Sequence, residues 1–355
     1  MPEATAPTGS SLPGYSVPGV ALRGVVSCVP ARRVTNDYFK TRFSDDDIAD
    51  VIKMIGVEAR HWAADGQTTA DLCRAAAGRL LERLAWEPSS VDALIFVSQT
   101  PNQRLPATSC ELHADLGLAP ACQAFDVALG CSGYTYGLWL AAAMINAGCR
   151  RVLLLAGETS SRIVDPADRG TALLFGDAGT ATALEASPGA TPMHFVLGTD
   201  GTGAQNLIVQ GGGFRAIAPD ARRAEGYDPE QLFMDGGAVF SFTLKAVPAL
   251  VRDTLSRAEA TSDDIDALVL HQANRFMLNH IAKKVGVGPE RTPINIDRFG
   301  NTSSATLPLV LSTDLAERLM KEPMRLMLAG FGVGYSWGGV YMTAGPLGCA
   351  ETITQ

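Results

Sequence analysis

The chain has 355 residues, 46% of them apolar and 19% charged, with 36 glycines. This is the make-up of a soluble globular protein with room for two domain-sized cores, and it excludes fibrous and wholly disordered classes. A formal net charge of -8 argues against nucleic acid as a general partner, because phosphate binding needs a basic face.

In chain order, residues 1–19 read "MPEATAPTGSSLPGYSVPG", rich in Pro, Gly, Ser and Thr with an acid at Glu3. The segment predicts a flexible tail and not a signal peptide, since it has neither a basic start nor an apolar stretch. A helix-like "RLLERLAW" then precedes the apolar run "VDALIFVSQ" (91–99), which reads as helix, turn and buried strand. From Val127 to Cys149 no charge occurs, a length able to span a bilayer. Gly130, Ser132, Gly133, Thr135, Gly137, Asn146 and Gly148 dilute it, so a helix buried on all sides is expected and no membrane partner. The glycine runs "GTDGTG" and "QGGGF" lack a following GK[ST] or a strand-to-helix setting and are expected to be loops or hairpin turns. The seven cysteines (28, 73, 110, 122, 131, 149 and 349) form no CxxC pair, which predicts free thiols in a reducing cytoplasm.

The second half repeats the first. "VDALIFVSQ" matches "IDALVLHQA" (265–273) at an offset of 174, "LGCSG" around Cys131 matches "FGNTS" around Asn301 at 170, and "LLLAG" (153–157) matches "LMLAG" (326–330) at 173. Three blocks in one order predict an α/β protein of two duplicated βα halves, residues 20–195 and 196–355, with mostly parallel or mixed sheets. Equivalent loops of such halves face each other across a pseudo-twofold axis.

That geometry brings three reactive residues together. Cys131 lies between Gly130 and Gly133, at the start of a helical stretch whose N-terminus is expected to lower the thiol pKa. His271 ends the buried strand of the second half, where open sheets place their ligands. Asn301 offers an uncharged N–H donor, although a helix cap is the competing role. His61, His113, His194 and His280 have no comparable setting, and no metal-ligand spacing occurs among histidines and cysteines.

With "FDVALGCSGYTYG", "DPADRGTALLFGDAGTA", "HQAN", "DRFGNTSSAT" and "GFGVGYSWGG" in this order, the chain from about residue 20 resembles the β-ketoacyl-acyl carrier protein synthase III group of the thiolase-like superfamily. The resemblance implies a five-layered αβαβα homodimer in the cytoplasm. It implies decarboxylative Claisen condensation of an acyl thioester primer with a malonyl-type thioester, without metal or redox cofactor, in fatty-acid synthesis or a secondary-metabolite pathway. By position, Cys131 would carry the acyl group while His271 and Asn301 hold the extender's carbonyl. The second oxyanion hole would come from the backbone amides of Cys131 and Val333, with Val333 where relatives carry glycine. Phe331 would keep the site dry, and Leu105 would reach the partner subunit's acyl pocket.

Substrate delivery departs from the family pattern. Asp50 and Met54 occupy the positions of a tryptophan and an arginine at the coenzyme A adenine, Arg169 matches the stacking arginine, and Phe276 replaces a second arginine, with Arg275 one step off. Of coenzyme A and acyl carrier protein as thioester carriers, the second is favoured. From His271 to Arg298, five basic residues (Arg275, Lys283, Lys284, Arg291, Arg298) face two acids, Glu290 and Asp297. Lys283 and Lys284 are the expected carrier-docking residues.

Three other readings stay open at this point: acyl transfer from Cys131 to a hydroxyl, amine or thiol without decarboxylation, a catalytically silent partner subunit, and a Cys-His hydrolase. Asn301 speaks against the first, because it is an amide and not a base, and the retained thiol speaks against the second.

Overall fold

The computed structural model describes residues 13–217 and 228–355. Two sheets dominate. The first runs β15 (Cys349–Thr354), β2 (Val20–Val29), β8 (Asp177–Ala186), β7 (Arg151–Thr159), β5 (Ala93–Val97) and β6 (Gln123–Val127). The second runs β1 (Gly14–Val17), β9 (Met193–Thr199), β14 (Ser336–Ala344), β13 (Met324–Gly332) and β12 (Ala267–Leu270). Two short pairs stand apart, β3 (Arg33–Thr35) with β4 (Ala59–His61) and β10 (Leu207–Ile208) with β11 (Phe233–Met234).

The sequence repeat is a structural repeat. In β5 and β7 Ala93 sits opposite Val152, and in β12 and β13 Ala267 sits opposite Leu326, an offset of 174 in both strands. Apolar runs of this kind are buried on both faces and need helices on both sides. Helices α4 (Gly133–Asn146) and α9 (Thr306–Ser312) fill the space between the sheets in one core with Val97, Leu154, Val269 and Leu328. Outside the first sheet lie α2 (Thr69–Leu84) and α3 (Thr108–Asp115), and outside the second α6 (Gly236–Arg257) and α7 (Arg275–Val285). The result is the expected five layers. Helix α10 (Ala316–Lys321) follows α9, while α1 (Asp45–Ile55), α5 (Arg169–Ala172) and α8 (Ile296–Phe299) build a cap around Phe39, Trp62 and Phe175.

The sheets are mixed, within the expectation of parallel or mixed sheets; among the described strands of the second, β12 and β13 run parallel and the other pairs antiparallel. The cause lies in the connection, because three residues, Val333 to Tyr335, join β13 to β14 and cannot form a crossover. Other expectations need correction. The first and last strands change places: β1 pairs with β9 in the second sheet, and β15 pairs with β2 in the first. Residues 14–17 are therefore strand and not tail, whereas residues 1–12 of that expected tail lie outside the described residues. A boundary between 195 and 196 falls inside β9. Finally, α4 is not buried on every side, since Trp139, Leu140 and Met144 are only partly covered. "GTDGTG" closes β9 in a turn capped by Asp200, and "QGGGF" lies in the connection between β10 and β11, both in keeping with loops. Among the described residues no helix is long and apolar enough to cross a membrane.

Candidate active site

Cys131 stands in the short link between β6 and α4, and its side chain is buried. The link is tight because Gly130 lies against Gln99, Val333 and Ser303, while Gly133 lets α4 press on Val97 of β5. Opposite runs the end of β13. Its last residue, Gly332, has φ +155° and passes so near that a Cβ there would lie 2.9 Å from Sγ of Cys131. The backbone N–H groups of Val333 and Cys131 and the Ser303 hydroxyl, 3.9 Å away, favour the thiolate. Burial outweighs them and holds the thiol above its ordinary value. The expected lowering by the helix end is thus corrected.

His271 follows β12, its amide donating to the Ala329 carbonyl of β13 at 2.8 Å. Nδ1 lies 2.7 Å from the Thr306 hydroxyl at the start of α9, and the ring meets Phe331 edge-on at 5.4 Å. Burial pushes its pKa down to about 3, so the imidazole is neutral at physiological pH. Asn301 follows Gly300, which has φ +68°. The Asn301 amide donates to the Leu174 carbonyl at 2.9 Å, and its own carbonyl accepts from Gly176 at 3.1 Å, which ties the two halves together. Oδ1 accepts from the Ser303 amide at 2.9 Å, leaving the Nδ2 donors for the cavity.

One cavity of about 680 Å³ is lined by Cys131, His271, Asn301 and Phe331 at its base and by Met54, Arg169 and Phe240 higher up. Other expected residues are placed differently. Arg169 lines the cavity but is ion-paired with Asp47 of α1. Arg275 packs over Gly56 and pairs with Asp297 at 3.9 Å, outside the cavity lining. Leu105 is 79% exposed and also lies outside this lining. Lys283 and Lys284 are exposed near the end of α7, where Lys284 donates to the Leu244 carbonyl at 3.3 Å. Phe276 stacks on Phe240 at the rim, with centroids 5.9 Å apart.

Two residues beside the site were not anticipated. Glu158, at the end of β7, is buried and accepts from the Ser98 and Thr100 hydroxyls and from the Gln99 amide at 2.8 to 3.2 Å. Burial raises its pKa to about 7. Its one sequence signal is a lone acid closing the apolar run "VLLLAGE". The other is Thr306, which has no sequence signal apart from following Asn301 by five residues. Among the described residues no group of three or more His, Cys, Asp and Glu side chains is arranged to hold a metal ion.

Residues 125–201 match the family model of 3-oxoacyl-(acyl-carrier-protein) synthase III, and residues 255–344 match the model of its C-terminal part. The chain is 34% identical to the β-ketoacyl-(acyl-carrier-protein) synthase III of a Chelativorans species, over 90% of this chain and 98% of that one. It belongs to the β-ketoacyl-(acyl-carrier-protein) synthase III family. The synthase III of Neisseria meningitidis is similar to the same degree, 34% identical with coverage of 90% and 98%. The crystal structure of a 3-oxoacyl-(acyl-carrier protein) synthase from Burkholderia xenovorans superposes with a TM-score of 0.95 at 51% identity, covering 97% of this chain and 99% of that one. As a synthase III the protein is a condensing acyltransferase on the thiolase fold.

Proposed function

We propose that Cys131 takes an acyl group from a thioester and that the extender is a malonyl-type thioester, decarboxylated in the same cavity. The observation that carries this reading is the convergence of Cys131, His271 and Asn301 on one cavity from three chain segments. Acylation moves the thiol proton to the leaving thiol and forms the acyl–sulfur bond. The Cys131 and Val333 amides bind the oxyanion of that step, since both already point at the sulfur. In the second step the neutral imidazole of His271 and Nδ2 of Asn301 hold the extender's carbonyl oxygen while the carboxylate leaves as carbon dioxide. The enolate carbon then attacks the acyl carbonyl and releases the Cys131 sulfur. Phe331, buried against His271, limits the water that would quench the carbanion.

The chemistry asks for no metal or redox cofactor. Met54 in the lining and the pairing of Arg275 with Asp297 leave little for an adenine or its phosphates, which supports an acyl carrier protein as the thioester carrier. Exposed Leu105 supports a homodimer that shapes the acyl pocket, and the free thiols among the described residues support a cytoplasmic setting. Incubation with an acyl thioester and carboxyl-labelled malonyl thioester tests the reading. An acyl adduct on Cys131, absent in Cys131→Ala, together with labelled carbon dioxide and a lengthened product, is expected; acyl transfer without label loss would refute it.

A further inference from the structure

His271 is neutral and carries one ring proton, so its tautomer decides whether the nitrogen facing the extender donates a hydrogen bond or presents a lone pair. The ring has two polar neighbours on this side, Oγ1 of Thr306 at 2.7 Å from Nδ1 and the Ser303 backbone carbonyl, which favours a proton on the ring. The Thr306 hydroxyl has one proton and a second acceptor, the same Ser303 carbonyl at 2.9 Å. If the proton goes to Ser303, Nδ1–H must donate to Thr306, and Nε2 is left as a lone pair. If it goes to Nδ1, Nε2 keeps its hydrogen. Only the second arrangement can hold an enolate oxygen. Thr306 and Ser303 are buried, so bulk water has little access to satisfy either group. Ser303 also has φ +51°, a left-handed conformation that is unfavourable for a non-glycine residue. The turn that faces its carbonyl toward Thr306 is therefore held against its own preference.

We propose that Thr306 is a positioning residue whose hydroxyl donates to Nδ1 of His271 and thereby fixes the Nε2–H tautomer required in the condensation step. The proposal rests on His271 acting as the carbonyl-oxygen donor. It explains how a histidine too buried to carry charge can still donate at Nε2. It assigns Thr306 to the second half-reaction, because acylation of Cys131 uses backbone amides and does not need the imidazole hydrogen.

The test is nitrogen NMR on the full-length protein labelled in its five histidines, with His271 assigned by comparison with His271→Gln. The wild-type protein and Thr306→Ser are expected to show a protonated Nε2 and an unprotonated Nδ1. Thr306→Val, which keeps shape and loses the hydroxyl, is expected to shift the proton to Nδ1, where the Ser303 carbonyl can accept it. Condensation should fall by about 10²-fold in Thr306→Val, the loss typical of one oxyanion donor, and more than acylation does; Thr306→Ser should recover most of it. A wild-type spectrum with Nδ1–H overturns the proposal and needs no variant to fold. An unchanged tautomer in Thr306→Val overturns it as well. Unimpaired condensation by His271→Ala would instead refute the donor role of His271, and the spectra would still report what Thr306 does.

Discussion

Gly332, at the end of β13, approaches Cys131 so closely that no side chain fits between the β13–β14 turn and the sulfur. A Cβ on Gly332 would lie 2.8 Å from Cβ and 2.9 Å from Sγ of Cys131, at a φ of +155° that L side chains avoid. Gly332→Ala must push either the sulfur or the turn that carries the Val333 amide. We expect a loss of about 1–3 kcal/mol in denaturant unfolding from backbone strain and overpacking. Acyl-adduct formation, followed by intact mass, should slow by at least about tenfold as the amide and sulfur lose registry. A variant that acylates at the wild-type rate would show that the turn is compliant.

The pH dependence of the two half-reactions should differ. Burial holds the Cys131 thiol above its ordinary value, so at neutral pH little of it is thiolate. Single-turnover acylation should rise with pH from 7 to 9, close to tenfold per unit until the thiol titrates. His271, pushed down to about 3, stays neutral over this range and adds no acid limb between pH 5 and 8. An acylation rate flat above pH 7 would mean that the amides and Ser303 overcome burial.

The legible parts of this protein were those in which local pattern and duplication agreed. The apolar runs 91–99 and 265–273 became β5 and β12, and the equivalence of Cys131 and Asn301 followed from block offsets alone. Strand direction was hidden because it depends on the three residues between β13 and β14, and a short apolar run looks the same either way up. The exchange of β1 and β15 was hidden for a different reason. Residues 14–17 carry alternating side chains in a Pro- and Gly-rich setting, and their partner β9 lies nearly 180 residues away. Glu158 and Thr306 were illegible because their roles come from burial and hydrogen-bond partners, which composition does not encode. Arg275 is less legible: its charge suits a docking face, and in the fold it also lies 3.9 Å from Asp297.

Glu158 should leave a signature in stability rather than in the chemistry. Its folded value of about 7 lies above the ordinary 4.5, so the native protein holds a proton that the unfolded chain releases. Its contribution is fully present below pH 4.5 and is lost as pH rises through 7, on the order of 3 kcal/mol. Glu158→Gln, which cannot titrate, should remove that falling slope from unfolding free energies measured between pH 4.5 and 7. If the slopes of the wild-type protein and the variant coincide, Glu158 is ionised in the folded protein and its hydrogen bonds outweigh burial.

Charge at the end of α7 should govern how a carrier protein is captured and not how its thioester reacts. Lys283 and Lys284 lie eight and nine residues beyond Arg275, about 12 Å along the helix that lends Asn274 and Met277 to the cavity region. Both are exposed and neither lines the cavity that holds Cys131. Exposed charges of this kind act mainly through association rate and are screened by salt. Lys283→Glu with Lys284→Glu should raise KM for a carrier-bound extender by about tenfold at low ionic strength, leave kcat unchanged, and converge on the wild type at high salt. The same extender on coenzyme A should show a far smaller change, because it lacks the acidic helix that the two lysines would meet. Equal KM values for both carriers in the double variant would move the docking face elsewhere on the rim.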